Sequence, residues 1–287
     1  MLKWFRRARP SEAGTDARPG PAGLDDARWQ RLLQAYPFAR AVGEARLPTL
    51  RARCDAFLAT KRFAGAAGFE VDDDIGAAIA LQACVPVVEL GLQWYDDFEQ
   101  LVVYPEDFVV SRTGIDEAGV VHEETVPLAG EAMDRGPVVL SWAAAHPDAV
   151  AEGWNVVIHE FVHKLDLRDG EADGIPPLPA ARAQRWEREI EAAWRDFRRQ
   201  LDKVERAIPR WVDPESEAAD RYYARLPLDA YAATDRGEFF AVAGETFFLA
   251  PGVLEVHWPA LYGLMVEFFG LEPEAVDWAG LGDPDDR

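Results

Sequence analysis

Two histidines and a glutamate sit inside an otherwise apolar run, Asn155-Val156-Val157-Ile158-His159-Glu160-Phe161-Val162-His163-Lys164-Leu165-Asp166. The histidines are four residues apart. On an α-helix, positions i and i+4 share one face about one turn apart. Two imidazoles so placed can ligate one Zn²⁺, and the intervening carboxylate can reach a water on that ion as a general base. The bland alternative is a pair of satisfied core histidines. The context favours the metal, because the chain has only five histidines and two fall at this interval with Glu between them. Trp154 to Ile158 reads as a buried helix start, and Gly170, Asp173-Gly174 and Pro176-Pro177 as the helix stop.

The rest of the chain must surround that helix. Its 287 residues suffice for one large domain or two small ones, and ten Trp and fifteen Phe can build a sizeable core. No stretch is long and apolar enough to predict a membrane span; Ile75 to Leu92 is interrupted by Gln82, Pro86 and Glu89. The first residues are basic but lack the apolar segment of a signal peptide, so a cytoplasmic location is expected. Cys54 and Cys84 are expected to be free, buried thiols. The formal net charge of −21 argues against binding nucleic acid, which depends on Lys and Arg at the phosphates.

Residues 1–24, rich in Pro, Gly, Ala and Arg, predict a disordered basic leader. A folded domain is expected over 25–272, followed by an acidic tail over 273–287. Within the domain, apolar periodicity predicts helices from Asp25, over Leu47–Phe63, Ile75–Cys84, Ala180–Arg206, Arg236–Leu249 and Pro259–Phe269. Residues 209–228 read as a connector with a short helix. β-branched runs at Leu101–Tyr104, Phe108–Val110, Val120–Val121 and Pro137–Trp142 predict a small sheet, the last strand leading towards the histidine helix. The fold class is therefore α+β, mostly helical.

A catalytic zinc takes three protein ligands and keeps one position for water. His122, His146 and His257 have no helix context that would aim them at the metal. A better source is the helix holding Glu238 and Glu245, two carboxylates in a Phe-rich setting where burial is costly unless paired or metal-bound. Seven residues apart, they share a face at a spacing of about 10 Å by the helical rise. One of them can be a ligand, and the other can orient an imidazole; Asp166 is a further candidate for that orienting role. Tyr231 is a candidate hydrogen-bond donor to an oxyanion.

Taken together, His159-Glu160-Phe161-Val162-His163-Lys164-Leu165-Asp166, Gly174, Pro176-Pro177-Leu178, Tyr231-Ala232-Ala233 and Glu238-Phe239-Phe240-Ala241-Val242 resemble the Mlc titration factor A family of bacterial zinc metallopeptidases. Upstream, Leu47-Pro48, Ile79–Cys84, Tyr104-Pro105 with Phe108, and Gly136–Trp142 look similar too, so the resemblance runs from about residue 30 to about 272. It implies a zincin-like domain with a gluzincin site, related to the catalytic domain of anthrax lethal factor. His159, His163 and Glu238 would be the zinc ligands, Glu160 the general base, and Tyr231, seven residues before Glu238, the oxyanion donor. The resemblance also implies aminopeptidase-like action on small peptides. Its alternative is a regulatory role, since enterobacterial members bind the glucose-responsive transcriptional repressor Mlc. The chain departs from the family at Val162, usually Ala, at Gly244, usually Ser, and in a longer segment between His163 and Glu238.

Overall fold

The computed structural model describes residues 18–19, 23–115, 121–133, 135–151 and 153–273, with the backbone alone for 18–19, 108–115 and 121–128. Most of the basic leader and nearly all of the acidic tail thus lie outside the described residues.

In chain order the elements are β1 (Arg18–Pro19), α1 (Asp26–Ala35), α2 (Leu47–Thr60), β2 (Arg62–Gly65), α3 (Asp73–Cys84), β3 (Gln100–Tyr104), β4 (Phe108–Ile115), β5 (Val121–Leu128), β6 (Gly130–Ala132), β7 (Val138–Ser141), α4 (Trp142–Ala145), α5 (Pro147–Ala151), α6 (Val156–Asp166), α7 (Ala180–Ala207), α8 (Glu217–Tyr223), α9 (Arg236–Leu249), α10 (Pro251–His257) and α11 (Pro259–Phe269). The fold is α+β and mostly helical, as the periodicity predicts. One sheet has the order β1-β2-β3-β7-β6, and β4 pairs with β5 as a separate hairpin. Strands β2, β3 and β7 run parallel, while β6 runs antiparallel to β7 at the sheet edge.

Two sequence expectations are corrected here. The helix expected over Leu47–Phe63 stops at Thr60, and Phe63 belongs instead to β2. Phe63 is buried either way, so its apolar character does not distinguish a fourth helical turn from a parallel strand. The histidine helix also starts later than Trp154. Asn155 is its N-cap, with Oδ1 accepting from the Ile158 N–H at 2.9 Å, and Trp154 is 42% exposed.

Helix α6 is buried along its whole length and lies between the sheet and α9. Phe161 packs among Phe57, Tyr95 and Phe98 on the sheet side. Lys164, fully buried, pairs with Asp97 and donates to the Met133 carbonyl at 2.9 Å, which ties the end of α6 to the segment following β6. Cys54 and Cys84 are free and buried. No single described helix is long and apolar enough to cross a membrane. The pair α9–α10 passes on composition, but it bends by 120° and α9 is buried among α6, α7 and α10.

Candidate metal centre

Helix α6 presents His159 and His163 on one face, their rings edge to face with centroids 4.8 Å apart. Helix α9 begins at an N-cap, Asp235, whose side chain accepts from the Glu238 N–H at 3.0 Å. That cap sets Glu238 in the first turn, turned towards α6. The three groups converge. His159 Nε2 lies 3.1 Å from Glu238 Oε2, His163 Nε2 lies 3.3 Å from the same oxygen, and the two Nε2 atoms are 3.2 Å apart.

These distances test whether an ion fits. Bonds of about 2.0–2.1 Å in tetrahedral geometry separate neighbouring donor atoms by about 3.3 Å. The observed triangle has edges of that size, and no other described His, Cys, Asp or Glu joins it. Two imidazoles and a carboxylate are also the donor set of catalytic zinc sites that keep a place for water. His159 Nδ1 contacts Glu245 Oε1 at 2.6 Å. With that nitrogen donating its proton, Nε2 of a neutral ring turns a lone pair into the triangle, a set of donor atoms that fits a divalent cation.

Glu245 does two things. Its other oxygen accepts the Asn155 N–H at 3.0 Å, so a single carboxylate holds both the start of α6 and the ring of His159. Glu238 and Glu245, two turns apart on α9, thus grip opposite nitrogens of one imidazole. The spacing of the two carboxylates leaves open which of them faces the histidine pair; the geometry puts Glu238 at the two Nε2 atoms and Glu245 at Nδ1, behind the ring. Asp166 makes no comparable contact with His163. Its Oδ2 accepts the Gly174 N–H at 2.8 Å and pins the loop after α6.

Burial raises the Glu160 carboxyl to about 7, against the opposing influence of His159 and His163. The cause is plain in the packing: Glu160 is 5% exposed, and a Cβ at Gly130 of β6 would stand 2.4 Å from its Oε1. A side chain at 130 would force that carboxylate to move. Burial likewise opposes charge on Glu238, yet His163 and His159 hold its pKa well below the usual range. For His159, burial favours the neutral ring, but hydrogen bonds with Glu238 and Glu245 lift its pKa above the ordinary value. Tyr231 sits in a short 3₁₀ turn capped by Asp229, its ring centroid 6.1 Å from that of His159. Burial and the nearby Glu238 and Glu160 raise its phenol, so it keeps its proton across neutral pH.

His146 and His257 stand apart. His146 faces Asp148 at 3.2 Å on the surface, and His257 ends α10, exposed beside Trp258. His122 falls in β5, whose side chains are outside the described residues. Two residues that sequence reasoning passed over shape the site. Asn155, an N-cap candidate one residue before the β-branched run, was detectable by its position. Gly130 gives no sequence signal, because its role exists only where β6 meets α6.

The departures at Val162 and Gly244 meet in space. A Cβ at Gly244 would lie 2.6 Å from Val162 Cγ2 and 3.2 Å from Cγ1. The larger residue on α6 occupies the volume that the missing side chain on α9 leaves free.

A helical histidine pair facing a glutamate of a neighbouring helix is a donor set suited to a metal, and comparison with known proteins places the chain among the metallopeptidases. It belongs to the family of glucose-regulated metallo-peptidases M90, whose sequence model matches residues 4–270. Curated relatives named Mlc titration factor A are similar over most of their length. The one from Escherichia fergusonii is 36% identical over 274 residues, covering 95% of this chain and 93% of the relative. The one from Cronobacter sakazakii is 36% identical with the same coverage. The one from Salmonella gallinarum is 38% identical over 231 residues, 80% of each.

Proposed function

We propose that the chain is a zinc-dependent peptidase with His159, His163 and Glu238 as metal ligands. The observation that carries this reading is the triangle of donor atoms with edges of 3.1–3.3 Å, beside a buried carboxylate on the same helix. Zn²⁺ bound there would lower the pKa of a water towards about 7 and polarise the substrate carbonyl.

The chain's own residues supply the proton movements. Glu160 accepts the proton of the attacking water and delivers it to the amine that leaves. A carboxyl poised near 7 suits both halves of that task. The Tyr231 phenol, protonated at neutral pH, donates to the oxyanion of the tetrahedral intermediate. Glu245 fixes the tautomer and orientation of His159. At the sheet edge beside Glu160, β6 offers an extended peptide main chain a strand to pair with. Small peptides, cleaved in an aminopeptidase-like manner, are the proposed substrates.

The test is the Glu160→Gln variant assayed on small peptides together with its metal content. Full metal occupancy with a rate reduced about 10²- to 10⁴-fold supports the assigned role. Turnover at the wild-type rate in that variant removes Glu160 from the mechanism.

A second reading is favoured by the name its relatives carry. There the chain binds a transcriptional repressor of the Mlc kind, with or without hydrolysis. Glu160→Gln separates the two, because repressor binding would survive the change that stops peptide cleavage.

A further inference from the structure

We propose that a cavity of about 850 Å³ beside Tyr231 and Glu245 receives a large apolar side chain of the substrate, at the residue adjoining the cleaved bond. This rests on the peptidase reading above and adds the substrate class to it.

The cavity borders the candidate metal centre at Tyr231 and Glu245, the two lining residues that contact His159. Glu238, Val242, Glu245 and Leu249 follow one another at intervals of four, three and four and so share one face of α9, with Thr246 at its border. The face that carries Glu238 therefore runs on, one turn later, into the cavity floor at Val242. Tyr231, whose ring lies against His159, stands on the opposite wall. A peptide whose carbonyl meets the metal and Tyr231 has an adjoining side chain within reach of this space.

The lining chemistry selects what enters. Three of its polar groups are already committed. Both Glu245 oxygens are bonded, to His159 and to Asn155. The Thr246 hydroxyl donates to the Val242 carbonyl at 2.9 Å, and Asp229 caps the turn holding Tyr231 at 2.7 Å. Among the described residues no Lys, Arg or His lines the cavity, so an acidic side chain finds no cationic partner from them. What remains is the apolar surface of Leu228, Val242, Leu249 and Val253, with the exposed indole of Trp154 at the rim. Asp220, on α8, and Asp229, at the turn before Tyr231, are the exposed acids in the described lining. The volume accommodates Phe or Trp.

The experiment incubates zinc-loaded protein with a defined mixture of peptides and identifies the cleaved bonds by mass spectrometry. Bonds adjoining Phe, Leu or Met should be cut at least about tenfold faster than those adjoining Ala, the scale set by methylenes in an apolar pocket. Thr246→Phe, which fills the cavity from α9, and Val253→Phe, which fills it from α10, should lower kcat/KM about tenfold or more on the Phe peptide. On the Ala peptide the loss should be smaller, so that the ratio of kcat/KM for the Phe peptide to that for the Ala peptide falls. In parallel, Glu160→Gln protein is titrated calorimetrically with the same peptides, which reads the pocket without hydrolysis. Cleavage with no side-chain preference, or with a preference for Lys, Arg, Asp or Glu, overturns the pocket and leaves the peptidase reading intact. Absence of cleavage alongside tighter binding of Phe than Ala peptides keeps the pocket and overturns the peptidase reading. Neither binding nor cleavage overturns both.

Discussion

Replacing Gly244 by Ala should destabilise the protein, and replacing Val162 by Ala as well should restore it. The added Cβ would stand 2.6 Å from Val162 Cγ2, about 1 Å inside the 3.5–4.0 Å at which carbon atoms pack well. Both residues are buried in the α6–α9 contact. Overpacking of this kind costs about 1–3 kcal/mol. The better helix propensity of Ala returns about 1 kcal/mol, so the net loss for Gly244→Ala alone is about 1 kcal/mol. Val162→Ala alone removes two buried methyl groups and costs about 2 kcal/mol. In the double variant the new methyl partly refills that space and the helix gain persists, leaving stability near wild type. The coupling energy is then about 2–3 kcal/mol, at the upper end of what contacting residues show. Urea unfolding of the four proteins measures it. Zinc affinity, read by competition with a chelating dye, should follow the same pattern, because α6 and α9 carry the three candidate ligands. Additive effects within about 0.5 kcal/mol would refute the claim that the two positions share one space.

Glu245→Gln should keep the fold but weaken zinc binding about 10- to 100-fold, since the amide is a poorer acceptor for the His159 ring N–H; unchanged affinity in a competition titration would detach Glu245 from the centre. Asp166 has its carboxyl raised to about 7, chiefly by burial, so in the metal-free protein its contribution to stability is full below about pH 4 and is lost as pH rises through 7. Asp166→Asn cannot titrate, and its stability profile between pH 4 and 7 should be shallower by up to about 1.4 kcal/mol per pH unit; profiles of equal slope would show that Asp166 is not the group responsible.

The histidine helix was legible because its requirement is local: two imidazoles one turn apart in an apolar run permit one backbone conformation. Arg236–Leu249 and Pro259–Phe269 were legible to the residue, since Asp235 and Pro259 mark their starts and Pro251 and Gly270 follow their ends. Phe63 was misplaced because four residues, Arg62–Gly65, are too few to show alternation, and a parallel strand's partners lie far along the chain. The interval between Glu238 and Glu245 revealed a shared face but not the division of labour. Which oxygen meets Nε2 and which meets Nδ1 depends on how α9 crosses α6. The fit between Val162 and Gly244 was invisible for the same reason, as each departure looks independent along the chain.

Gly130 has a consequence for any molecule laid along the sheet edge. With no side chain at position 130, the backbone of β6 there is the wall against which that carboxylate rests. A polypeptide aligned on β6 is therefore gauged from main chain to main chain, independent of which residues it carries. The strand works as a ruler whose zero mark is a missing carbon.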